Sequence, residues 1–189
     1  MGCYNSIHNK GVMQLNAMQG ASTLTLYTIL IVAVVQDFKC MKISNRLILM
    51  GLLLATVFGL LQGGIPQIID ILLNISFPVI TLYILYLLGI LGAGDIKLFS
   101  VVGGFTNLKM LLNCMLFAFV AGAVISLGKM LYHRNLQFSL FKGRIFMKEV
   151  LRGNISSYRE TMAESKNLMH FSLAILIGVV GAQAYSYWG

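Results

Sequence analysis

Five stretches of this chain run without a charged side chain for long enough to cross a lipid bilayer. Between Lys10 and Asp37 lie 26 uncharged residues, between Arg46 and Asp70 there are 23, and between Asp70 and Asp95 there are 24. Lys109 to Lys129 encloses 19, and 23 more follow Lys166. A crossing helix needs about 20 apolar residues, so each stretch qualifies. Composition agrees: 58% of the 189 residues are hydrophobic and 11% are charged, against about a quarter charged in an ordinary soluble domain. The net charge of +8 sits on an apolar chain of mean hydropathy +0.82, which excludes a disordered tail or a nucleic-acid arm. The expected fold is all-α: a polytopic membrane protein with about six transmembrane helices, residues 1–189 forming one domain with the bilayer as its solvent.

The sixth crossing rests on the placement of the cations. Only 11 uncharged residues separate Lys97 from Lys109, and Lys and Arg gather in the cytoplasmic loops of membrane proteins. If residues 96–107 cross, twelve cations from Lys39 to Lys166 face the cytoplasm, leaving only Lys10 and Lys109 outside. If they do not, eight of the fourteen move outside with the basic loop. The sixth crossing is therefore expected, with both termini outside the cytoplasm. Twelve residues span only about 18 Å, so the crossing runs on past Lys109 or lies where protein or water dents the bilayer.

The remaining features narrow the alternatives. No small-x-small cleavage site follows Leu24 to Gln36, so this segment reads as an uncleaved first span. Cys3, Cys40 and Cys114 are isolated and odd in number, giving neither a disulfide framework nor a paired-cysteine zinc signature. His8, His133 and His170 are scattered along the chain, so neither a metal nor a cofactor is expected. The polar insertion at about 132–166 carries Phe138, Phe141, Ile145 and Phe146 among Lys142, Arg144, Lys148 and Arg152. It reads equally as a helix on the inner leaflet or as a cytoplasmic loop whose cations set topology.

Six acidic residues carry the functional information. Glu149, Glu160 and Glu164 lie in the polar insertion and are accounted for by solvation. Asp37, Asp70 and Asp95 fall at the ends of apolar spans, where an ionisable group is costly unless it reaches water or a partner. In the expected topology Asp37 ends the first span and Asp95 begins the fourth, so both lie at the cytoplasmic face. Asp70 opens the third span on the opposite face, where the helix dipole favours a carboxylate.

Two carboxylates at one depth on separate helices suit hydrolysis without a covalent intermediate. Held close, they cannot both ionise cheaply, so the pair shares a proton. One Asp takes a proton from water while the other polarises the scissile carbonyl, and the pair returns the proton to the leaving amine. Which Asp holds the proton is open at this stage. Gly92 and Gly94 precede Asp95 directly, allowing a sharp turn or a close approach that aims the carboxylate; a capping Asp in a glycine-rich turn is the plainer alternative.

Gly92-Ala93-Gly94-Asp95-Ile96-Lys97-Leu98 resembles the Gly-x-Gly-Asp-x-Lys-Leu signature of type IV prepilin peptidases, which are intramembrane aspartic proteases. Asp37 followed by Ile43-Ser44-Asn45-Arg46-Leu47 is similar to their first motif, an Asp six to eight residues before Ile-Pro-Asn, a basic residue and Leu. The segment from His170 to Gly178 resembles their last span, which typically opens with Pro-Phe, so the resemblance covers about residues 22–188. Ser44 and His170 stand where the family has prolines, and neither departure removes an acid.

This resemblance implies that Asp37 and Asp95 are the catalytic pair, that Gly92 and Gly94 shape the loop presenting Asp95, and that Lys97 serves either as a cytoplasmic anchor or directly. The implied reaction is endoproteolysis of prepilins or pilin-like proteins, cutting a short basic leader at the cytoplasmic face of the inner membrane. Nothing in the sequence matches the Cys-x-x-Cys domain that longer members carry for N-methylation, so methyltransferase activity is not expected. Two other classes fit the acids: a small proton-coupled transporter or channel component using Asp37 and Asp95 as a relay, or a non-enzymatic scaffold for pilus assembly.

Overall fold

The computed structural model describes residues 2–40, 42–88, 91–132 and 171–188. They form five helices: α1 (Gly2–Cys40), α2 (Asn45–Leu87), α3 (Ala93–Phe105), α4 (Leu108–Tyr132) and α5 (Phe171–Trp188). No strand occurs among the described residues. Four helices, all but α3, are long and apolar enough to cross a membrane. Leu24, Ile31, Leu49, Leu61, Ile80 and Leu116, among others, are exposed along them; an apolar surface of this extent is expected of helices facing lipid tails. The polar insertion at about 132–166, expected as a surface helix or a loop, lies outside the described residues beyond Tyr132, with its seven cations and three glutamates, and so do His133 and His170.

The second and third expected spans are joined in the 43 residues of α2, and the boundary between them is not at Asp70. The helix breaks at Gly64, whose φ of 67° and ψ of −156° are non-helical. Glycine adopts a positive φ without Cβ strain, and Pro66 just beyond it suits the first turn of a new helix. A lone Asp inside a helix costs only tenths of a kcal/mol by intrinsic propensity, about 0.7 at most, so the charge at Asp70 need not end the span. In an uninterrupted helix residues 59 and 71 would stand about 18 Å apart, yet a Cβ on Gly59 would lie 2.0 Å from the Ile71 side chain. The two limbs therefore fold back on each other as a hairpin. Both pack on α3, since Ala55 from one limb and Ile75 from the other meet Gly104.

The segment expected as a sixth crossing forms the short, buried helix α3, which is not among the four helices long and apolar enough to cross. Leu98, Phe99, Val101 and Val102 have no solvent exposure, and Ile96, Ser100, Gly103 and Gly104 are buried with them. Thirteen residues give about 20 Å of helix, and α3 touches each of the other four helices, so protein rather than lipid surrounds it. The alternative of a crossing that runs past Lys109 is corrected. Thr106 is extended and ends α3, and Asn107 begins a new helix by accepting the Met110 N–H on Oδ1 at 2.9 Å. A cap of this kind satisfies a donor that would otherwise lack a helical partner. Lys109 belongs to α4.

Small residues set the closest approaches. Pro78 has no N–H, so the carbonyl four residues earlier, that of Asn74, loses its helical donor. That carbonyl faces Gly103, where an added Cβ would come within 2.3 Å of it, and the Asn74 side chain donates to the Thr106 carbonyl at 3.1 Å. The second limb of α2 is thus seated on the end of α3. Between α4 and α5, Gly178 lies against the Cys114 carbonyl and Ala118, and Gly122 leaves room for the Phe171 ring.

Candidate active site

Four helix ends meet at one end of the protein: the last turn of α1 and the first turns of α2, α3 and α5. Gln36 Oε1 accepts the Ser44 N–H at 3.0 Å and pins the turn between α1 and α2. This gives the departure at Ser44 a physical account. Its φ of −66° is the value a proline would impose, but serine retains an N–H, which Gln36 takes. The next residue, Asn45, accepts from Lys97 Nζ on its Oδ1 at 3.0 Å. Lys97 therefore ties the start of α2 to the start of α3, linking the two sequence motifs.

Asp95 occupies the third position of α3, after Gly92 as N-cap. Its N–H and that of Ile96 both donate to the Gly92 carbonyl, at 3.1 and 3.4 Å, closing the first turn. Gly92 has an extended backbone, φ −76° and ψ 149°, and among the described residues only Gly64 is a glycine with positive φ. The expected sharp glycine turn is thus an ordinary helix start. What Gly92 supplies is room: a Cβ there would stand 3.1 Å from Asp95 Oδ2, whereas one at Gly94 would make ordinary contacts with Ile43 at 3.6 Å. Gly92→Ala is accordingly expected to displace the Asp95 carboxylate and lower turnover about tenfold, a fraction of the cost of a full 1 Å misplacement. Gly94→Ala should stay within a few-fold of wild type. Activity of the two purified variants, measured side by side with wild type, checks the order.

Asp37, in the last turns of α1, faces this helix start. Asp95 lies outside the four helices long enough to cross, and its carboxyl is pushed up to about 7, chiefly by burial, then by the nearby Asp37 charge, with a backbone hydrogen bond at Gly92 opposing both. Asp37 Oδ2 in turn accepts a hydrogen bond of 2.6 Å from Ser172 Oγ at the start of α5. The end of the fold thus carries two half-buried carboxylates on separate helices, within electrostatic reach, with different environments.

A model of the type IV leader peptidase family matches residues 24–127, just over half of the chain. The chain belongs to this family. Comparison with curated proteins and with solved structures gave no match. The span matched to the leader peptidases includes Asp37, Gly92, Gly94, Asp95 and Lys97 and ends before α5.

Two residues of the candidate site are not marked by the sequence motifs. Gln36 directly precedes the first acid, and Ser172 lies in the last-span segment, but neither belongs to a pattern that sets it apart. The available signal was a lone polar side chain at the same depth as the acids. Asp70 is placed apart from the pair. It lines a cavity of about 950 Å³ with Gln19, Ser22, Asn74 and Gln183, and neither Asp37 nor Asp95 contributes to that lining. Among the described residues no three His, Cys, Asp or Glu side chains cluster in a way that could hold a metal ion.

Proposed function

We propose that this leader peptidase is an aspartic endopeptidase in which Asp37 and Asp95 activate water to remove the basic leader of type IV prepilins or pilin-like proteins. The observation that supports the reading is that two carboxylates 58 positions apart in the chain come within electrostatic reach of each other, the Asp37 charge acting on Asp95. Asp95, whose carboxyl titrates near 7, holds the shared proton, and Asp37 is the base. Asp37 accepts a proton from water as the water oxygen bonds to the scissile carbonyl carbon, while Asp95 gives its proton to the carbonyl oxygen. The resulting gem-diol collapses as the C–N bond breaks: Asp37 passes its proton to the leaving nitrogen and Asp95 recovers one from a diol hydroxyl. Two neighbouring carboxyls that share one proton suit this exchange.

The site lies at the cytoplasmic face of the inner membrane in the topology set by the cations. Six crossings then arise from α1, the two limbs of α2, the segment 96–107, α4 and α5, with both termini outside and the loop at 132–166 in the cytoplasm. Residues 1–189 act as one peptidase domain without methyltransferase activity. The relay reading would draw on the cavity beside Asp70, but the pair does not line it.

Co-expression with pilin-like proteins of the same genome, followed by N-terminal sequencing, tests the proposal. The expected product begins at the residue after the leader, at the edge of the hydrophobic helix; intact leaders on every candidate would count against it. A pH dependence also follows. Asp95 must carry its proton, so cleavage should fall as pH rises through about 7 and recover on return to lower pH. Rates unchanged across that range would contradict Asp95 as the acid.

A further inference from the structure

We infer that Ser172 is a positioning residue of the peptidase: its hydroxyl, delivered by the last helix, holds the Asp37 carboxylate in place opposite Asp95. The inference rests on the catalytic-pair reading above and extends it to a helix beyond the family match.

The hydroxyl is used in an unusual way for this protein. Thr25, Thr28, Ser100 and Thr106 all donate to carbonyls of their own helix, four residues back. That is the common fate of a hydroxyl in an apolar helix. Ser172 Oγ instead reaches Asp37 Oδ2 across 135 residues of sequence, at 2.6 Å. This length is typical of a hydroxyl donating to an ionised carboxylate. Ser172 itself has no solvent exposure, so water does not compete for its hydrogen.

Packing fixes where the hydroxyl is delivered. The neighbouring Phe171 ring lies against Phe99 of α3 and Phe119 of α4, with centroids 6.3 and 5.9 Å apart. Gly122 and Gly178 bring α4 and α5 together at distances that a side chain would prevent. The start of α5 is therefore wedged between α3 and α4 and cannot slide without unpacking the aromatic cluster. Electrostatics points the same way. Asp37 stands near the negative end of the α1 dipole, where an anion is disfavoured, while Ser172 lies in the first turn of α5, at its positive end.

The test uses the full chain in detergent or liposomes, with a leader-bearing pilin-like substrate and Ser172→Ala and Ser172→Thr variants. Loss of orientation at the base should reduce kcat about 100-fold, leave KM within about twofold, and be largely reversed in Ser172→Thr, which keeps the hydroxyl. A merely structural role would lower accumulation or Tm without this split and without rescue. Wild-type kcat in Ser172→Ala, alongside an inactive Asp37→Asn, would overturn the inference and leave the catalytic pair standing. An active Asp37→Asn would overturn the pair itself. Should Ser172→Ala fail to accumulate, Ser172→Cys decides, because its thiol keeps the shape but donates weakly: a lowered kcat supports the inference and an unchanged kcat overturns it.

Discussion

Asp37→Asn and Asp95→Asn are each expected to lower leader removal by about 10²- to 10⁴-fold, the range supplied by positioned acid and base groups, while both variants still accumulate in the membrane. Asn matches Asp in shape, so the helix ends that pack around the site are kept. It can neither accept the proton of the attacking water, as Asp37 must, nor deliver one to the carbonyl oxygen, as Asp95 must. The double variant should be little worse than either single one, because residues that act as a unit are not additive. Mobility of the pilin-like substrate on a gel, read beside the abundance of each variant, measures the effect. Efficient cleavage by either single variant would remove that residue from the chemistry.

The largest structural effect is expected from Gly103→Val. A Cβ at this position would lie 2.3 Å from the Asn74 carbonyl oxygen and 3.0 Å from its carbon. Both are backbone atoms of a helix that is itself held to Thr106, so neither side yields cheaply. Overpacking a close-packed site typically costs up to about 3 kcal/mol, and here it would also expose the Asn74 carbonyl that Pro78 leaves without a helical donor. Accumulation and thermal stability in detergent should both drop. Gly128→Ala and Gly20→Ala are the controls: nothing lies within 4 Å of a Cβ at either position, so both should match wild type in the same assays. Wild-type stability in Gly103→Val would show that α2 and α3 are not seated as described.

Much of this architecture is legible in the charges. Apolar stretches between them locate α1, α4 and α5 and both limbs of α2, because desolvating a charge is the dominant cost in a bilayer. The same reasoning misplaces the break in α2, since backbone geometry at Gly64 and Pro66, not the carboxylate of Asp70, ends a helix there. It also leaves α3 ambiguous: length alone does not distinguish a helix wrapped in protein from one extended past Lys109, and the Asn107 cap decides against the extension. At the site, spacing identifies Asp37 and Asp95 and the motif around Gly92, Gly94 and Lys97. The hydrogen bonds of Gln36 and Ser172 are not legible, because which hydroxyl or amide reaches an acid depends on helix rotation and on packing such as that of Phe171 against Phe99. No linear pattern records those.

The most direct measurement follows leader cleavage and proton flux together in liposomes containing the purified protein and a pilin-like substrate. Cleavage is expected at a single bond before the hydrophobic helix, abolished in Asp37→Asn and in Asp95→Asn, with no flux in any of the three. Proton movement that depends on the two acids while the substrate stays intact would contradict it.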